Sequence, residues 1–186
     1  MCTFWSSSAN AGDFEIGPWL GWAAGPNLGK GGPSEVTFVN AGFDVTTPVW
    51  IFGGGYGGSS ELRFGPWIAY QSLLGVGSMG EGGLTLVLTK TEHAQWGTFG
   101  VRMGGGYGLD NQAHFVATFW GGVRYVPVRA GESPDGIANK VTGIRIVASV
   151  HHQLDPENIS ALVFGVEFEP EYLLPPYSPY KWAGKH

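Results

Sequence analysis

Apolar and polar residues alternate along most of the chain. In KVTGIRIVASVHHQLD, Ile144, Ile146, Ala148 and Val150 share one parity, while Arg145, Ser149 and His151 share the other. In ISALVFGVEFEPEYLL, Leu162, Phe164, Val166 and Phe168 oppose Gly165, Glu167 and Glu169. Successive side chains of an extended strand point to opposite faces, so this period predicts strands with one apolar and one polar face. The same split runs upstream. QAHFVATFWGGVRYVP sets Phe115, Ala117 and Phe119 against His114, Thr118, Trp120 and Arg124, and WGTFGVRM sets Phe99, Val101 and Met103 against Thr98 and Arg102. LRFGPWIAYQ sets Leu62, Phe64, Ile68 and Tyr70 against Arg63, Trp67 and Gln71; FEIGPWLGW repeats it closely, with Phe14, Ile16 and Leu20 against Glu15 and Trp19. No window keeps apolar residues at helical spacing for more than two turns, so helices are not expected.

With VTFVNAGFDV, VWIFGGGYG and LTLVLTK the tally reaches about nine candidate strands. They run about 9 to 15 residues, where soluble strands favour ~5–6 and a tilted membrane-spanning strand needs ~9–11. Turn chemistry stands between them at TTP near Thr47, at Gly57 to Ser60, at Leu109 to Asn111 and at Leu154 to Asn158. Longer connections are expected at Ala24 to Ser34, Gly75 to Gly83 and Val128 to Asn139. Long, even strands and mostly short turns predict an all-β fold: an up-and-down antiparallel β-barrel. The tandem motif IFGGGYGGSSELRFGPWIAY and VRMGGGYGLDNQAHFVATFW reads as two hairpins, whose glycines admit bulky neighbours such as Trp67 and Trp120 to a narrow lumen. Neither GGGYG run is followed by Gly-Lys-Ser/Thr or opens a helix, so a phosphate cradle is not expected.

Composition decides which face is inside. Charged residues are 13 % of the chain, about half the ~25 % of soluble domains. The five lysines, Lys30, Lys90, Lys140, Lys181 and Lys185, fall in loops or at strand ends. The strand charges are mainly arginines and acids, which suit buried pairs. An inside-out barrel accounts for both, with an apolar girdle towards lipid and a polar network within. The expected lumen charge network is Glu15, Asp44, Arg63, Arg102, Arg124, Arg145, Glu167 and Glu169. The expected lipid-facing set is Phe64, Ile68, Phe99, Phe115, Phe119, Ile144, Ile146, Leu162, Phe164 and Phe168. No apolar run approaches the ~18 residues of a spanning helix.

The dyad repeats, the aromatics near strand ends (Tyr56, Tyr107, Trp120, Tyr125, Tyr172) and the closing strand Leu162 to Phe168 resemble the small outer-membrane β-barrel proteins of Gram-negative bacteria. The resemblance covers Asp13 to about Leu174. It implies an outer-membrane location, the lipid bilayer as partner and an even number of strands. Eight, within a range of eight to ten, is therefore the expectation, with the first strand or a break near Thr47 in surplus. Residues 12–175 would form the barrel and 176–186 a tail continuing past the closing aromatic. Residues 1–11, with ANA at Ala9 to Ala11, read as the remnant of a signal peptide or a flexible leader.

A net charge of −5 and no basic patch argue against nucleic-acid binding. The single cysteine, Cys2, excludes an intrachain disulfide and Cys-based zinc motifs. Neither a metal nor a cofactor is expected. An eight-stranded barrel is just filled by side chains, so the leading functional expectation is a structural or interaction role. Loop 128–139 would be its contact surface. Alternatives are a small pore, which needs ten or more strands, and a soluble calycin-like carrier with the faces reversed and an apolar ligand inside. A lipid-modifying acyl hydrolase is a further alternative. Ser149, His151 and Glu157 supply the residue types of acyl transfer, although Ser and His two apart on a strand lie ~6.5 Å from each other along it.

Overall fold

The computed structural model describes residues 15–52, 60–90, 96–108, 112–125, 142–154 and 159–170. They form eight strands: β1 (Glu15–Pro26), β2 (Glu35–Phe52), β3 (Ser60–Leu73), β4 (Gly77–Lys90), β5 (Trp96–Gly108), β6 (Gln112–Tyr125), β7 (Thr142–Gln153) and β8 (Ser160–Pro170). Each is antiparallel to the next, and β8 pairs with β1, closing an up-and-down barrel. No helix occurs among the described residues. The expected leader 1–11, tail 176–186 and contact loop 128–139 lie outside them.

Closure requires the strands to tilt and their register to stagger. Following register partners from Gly17 through Asp44, Trp67, Gly83, Gly104, Val116 and His151 leads to Ala161 on β8. The direct β1–β8 seam instead joins Leu20 to Phe168. The circuit therefore returns displaced along the strand, which coils the wall and aims inward side chains at different depths.

Two sequence expectations give way. The break near Thr47 is absent: β2 runs through it as one strand of 18 residues. A register shift between Pro48 and Trp50 takes up the proline, which has no N–H to give the ladder. Merging these two candidates brings the count to eight. The long connection at Gly75 to Gly83 is also absent, since residues 74–76 alone turn between β3 and β4. Gly75 supplies the positive φ of 81° there, with Val76 N–H donating to Leu73 O at 3.1 Å. The glycines of SMGEGG lie in β4, opposite those of β5: Gly82 and Gly83 pair Gly105 and Gly104. A Cβ on Gly83 or Gly104 would strike the other strand's backbone, so the two walls approach closely there.

The barrel is sorted by face. Val36, Phe38, Leu73, Met79, Ala161 and Val163 are buried inward, within a few residues of the strand ends joined by the β1–β2, β3–β4 and β7–β8 connections. They form an apolar cap over that mouth. In the β1–β2 connection, Asn27 Nδ2–H donates to Gly31 O (2.5 Å) and Pro33 O (2.9 Å). Its Oδ1 accepts from the Ser160 backbone N–H at 3.1 Å, tying this loop to β8.

Candidate functional site in the barrel lumen

Alternation places the strand charges in the lumen, and burial obliges them to pair. Arg102 on β5 forms a bidentate fork with Glu167 on β8, NH1 to Oε1 at 2.9 Å and NH2 to Oε2 at 2.5 Å. Its guanidinium carbon lies 4.1 Å from the Trp19 ring centroid, a cation–π contact. Arg145 on β7 stacks on Trp120 at 4.0 Å. It pairs with Glu169 and lies within 3.9 Å of Glu167 and 4.0 Å of Asp44. Arg63 on β3 bonds Glu61 at 2.8 Å, Thr46 Oγ1 at 3.2 Å and Thr46 O at 3.1 Å. Asp44, Arg63, Arg102, Arg145, Glu167 and Glu169 are all buried inside. The side chains of Glu15 and Arg124 lie outside the described residues.

A second polar group lies under the apolar cap and is centred on Glu81 of β4. Gln71 Nε2–H donates to its Oε2 at 2.6 Å. His114 Nε2 on β6 stands 3.1 Å from Oε1, and His151 Nδ1 on β7 stands 3.3 Å from the same oxygen. The second approach is close enough for attraction but not aligned as a hydrogen bond. His151 Nε2 meets Ser149 Oγ at 2.9 Å, and Thr118 Oγ1 lies 2.7 Å from Ser149 Oγ. The His151 ring stacks on Phe38 at 4.6 Å between centroids, 21° from parallel.

These contacts correct the expected spacing of Ser149 and His151, because the two side chains lean together across their shared face and make a direct hydrogen bond. The carboxylate beside His151 is Glu81, brought across the lumen by the stagger of the sheet, while Glu157 lies outside the described residues. Sequence reading missed Glu81 because its neighbours are glycines, which carry no parity.

The outer wall is apolar. Phe64, Ile68, Phe99, Phe115 and Phe119 are exposed, as are Ile144, Ile146, Phe164 and Phe168; Leu162 is half-buried. Trp120, expected in the lumen but also grouped with the strand-end aromatics, is 4 % exposed and belongs to the lumen. Trp22, Tyr70 and Tyr107 are exposed on β1, β3 and β5, each in the half of its strand nearer the capped mouth. Tyr56, Tyr172 and the side chain of Tyr125 lie outside the described residues.

Between Trp19, Asn40, Trp67, Gln71, Arg102 and Ser149 remains a void of about 10 Å³, room for about one water. The Trp19 and Trp67 indole N–H groups and the Arg102 Nε–H, on residues lining this void, have no protein acceptor. The arrangement has the means to hold charges, to order a water and to polarise a hydroxyl. Among the described residues no group of three or more His, Cys, Asp or Glu has metal-binding geometry. The chain matches no protein-family model, no curated protein and no solved structure.

Proposed function

We propose that the protein is a transmembrane β-barrel of a bacterial outer membrane with a structural or interaction role and a plugged lumen. The observation that carries this reading is the inversion of its faces. Large apolar side chains such as Ile146 (70 % exposed) and Phe119 (63 %) cover the outside, while Glu167 and Glu169 (1 % each) are inside. In water such a wall would be a continuous apolar surface far beyond the few hundred Å² that soluble monomers expose. In lipid it is the favourable arrangement, and a closed barrel leaves no strand edge unpaired. Strands of 11 to 18 residues meet or exceed what a tilted crossing needs. Trp22, Tyr70 and Tyr107 suit a headgroup belt near one mouth.

The filled interior argues against the two nearest alternatives. A pore needs a continuous aqueous path, and a calycin-like carrier needs a ligand-sized apolar cavity; the central void measures about 10 Å³. The deciding experiment refolds the full chain with and without detergent and compares boiled with unboiled samples on an SDS gel. A faster unboiled band in detergent and aggregation without it are the expected results. A monodisperse β-rich protein in plain buffer would overturn the reading.

A further inference from the structure

We infer that the two polar clusters of the lumen are one network, joined through a single water molecule bound between Arg102 and Gln71. The inference concerns the interior alone and stands whatever surrounds the wall. Its first support is a set of unspent polar atoms around one space. The Arg102 fork gives both terminal nitrogens to Glu167 and leaves Nε–H without a protein acceptor. Trp19 meets that guanidinium with its ring face at 4.1 Å, which does not engage its in-plane N–H, and Trp67 Nε1–H is also without an acceptor. On the other side, Gln71 Nε2–H is committed to the Glu81 carboxylate at 2.6 Å, so Oε1 is the end of that amide left without a donor. Asn40 Oδ1 is in the same position. All five residues line the void of about 10 Å³, and none is more than 8 % exposed. Burying such groups unmet is strongly unfavourable.

The second support is the chemistry of the lining, which selects the occupant. The space admits about one water, which excludes any larger ligand. A monatomic anion would find N–H donors but also the carboxylates of Glu81 and Glu167, which line the same void, against one guanidinium already paired with Glu167. A monatomic cation would find those carboxylates but also the Arg102 charge and three N–H groups. Water is neutral and both accepts and donates. Its two lone pairs serve Arg102 Nε–H and an indole N–H, and its two protons serve Gln71 Oε1 and Asn40 Oδ1. A molecule of this size is enclosed as the barrel closes, so it needs no channel through the apolar cap.

The bound water completes a path that runs from Glu167 through Arg102 to the water, then through Gln71 to Glu81 and on to His114. Strands β8, β5, β3, β4 and β6 each contribute one side chain to it. A water bridge of this kind is nearly as favourable as a direct hydrogen bond. The arginine layer and the Glu81 cluster therefore respond to one another, with Gln71 as the amide that faces both ways.

The test is magnetisation transfer from water to side-chain N–H protons in the full 15N-labelled chain, refolded in detergent or, if it is monodisperse there, in plain buffer. W19F and W67F assign the indoles, and the unboiled gel band or the β-rich spectrum reports the fold. The expected result is transfer to Arg102 Nε–H and to at least one of the two indoles. It should have opposite signs in the laboratory and rotating frames, which marks a held water rather than proton exchange. The signal should persist in T118V/S149A, which removes the neighbouring hydroxyls that could relay it, and should weaken severalfold at Arg102 in Q71M. Absence of transfer to Arg102 or to both indoles, its loss in folded T118V/S149A, or undiminished transfer in folded Q71M would overturn the inference. Shifts of these resonances on adding bromide would identify an anion and overturn it as well. Should either variant not fold, the wild-type signal and its signs decide alone.

Discussion

Glu167 is held by Arg102 through two hydrogen bonds and lies 3.9 Å from Arg145, which Glu169 also pairs, so the carboxylate faces two stacked cations. Removing one partner of a buried pair leaves the other charge uncompensated, which costs about 3–5 kcal/mol. E167A should therefore lower the urea midpoint of the detergent-refolded barrel by that equivalent, while the double variant R102M/E167L should approach wild type. A smaller local test is Gly100→Ala. A Cβ at Gly100 would collide with the Trp120 indole, the ring on which Arg145 rests; overpacking of this kind costs about 1–3 kcal/mol in the same unfolding measurement. At this scale the sequence is legible wherever parity is informative. Asp44, Arg102 and Glu167 fall opposite large apolar neighbours, and their inward direction follows. Glu81, among Gly80, Gly82 and Gly83, has no such neighbours, and Glu157 drew attention only through nearness along the chain. Which acid meets His151 depends on register across several strands, which composition does not encode.

Strands express the same rule as continuous faces. On β7, Ile144, Ile146 and Val150 point outward, while Arg145, Val147, Ser149 and His151 point inward. Ile146→Lys separates the two possible surroundings of that face. In a bilayer, a lysine near the midplane costs about 2–4 kcal/mol, against roughly half a kcal/mol for a surface change in water. We expect the lysine variant to fold less efficiently into lipid vesicles than wild type, with its unfolding midpoint shifted accordingly. Strand existence was readable because alternation persists for ten residues or more. Strand limits were not: Pro48 imitates a turn but is absorbed by an irregularity in the ladder, and the glycines around Glu81 imitate a loop but bring β4 and β5 together.

The whole molecule is a closed wall around a layered filling, with an apolar cap at one mouth, the Glu81 cluster beneath it, and the arginine pairs beyond. Among the described residues the central void holds about one water, so planar bilayers containing the refolded protein should show no steady conductance; reproducible open-channel steps would mean that the filling moves aside. Closure itself was predictable from face sorting, whereas the stagger that brings Glu81 to His151 arises only when all eight strands are joined. The β1–β8 seam has a further consequence. Every other neighbouring pair is consecutive in the chain, but the seam joins Leu20 to Phe168 and has five register partners among the described residues, where β1–β2 has twelve. Local hairpins close quickly, and contacts between distant segments close late. Folding of this chain should thus end at the seam, with β1 and β8 carrying bare, aggregation-prone edges until the last moment. Whatever shelters those two edges during assembly sets the yield, however well the finished barrel is bonded.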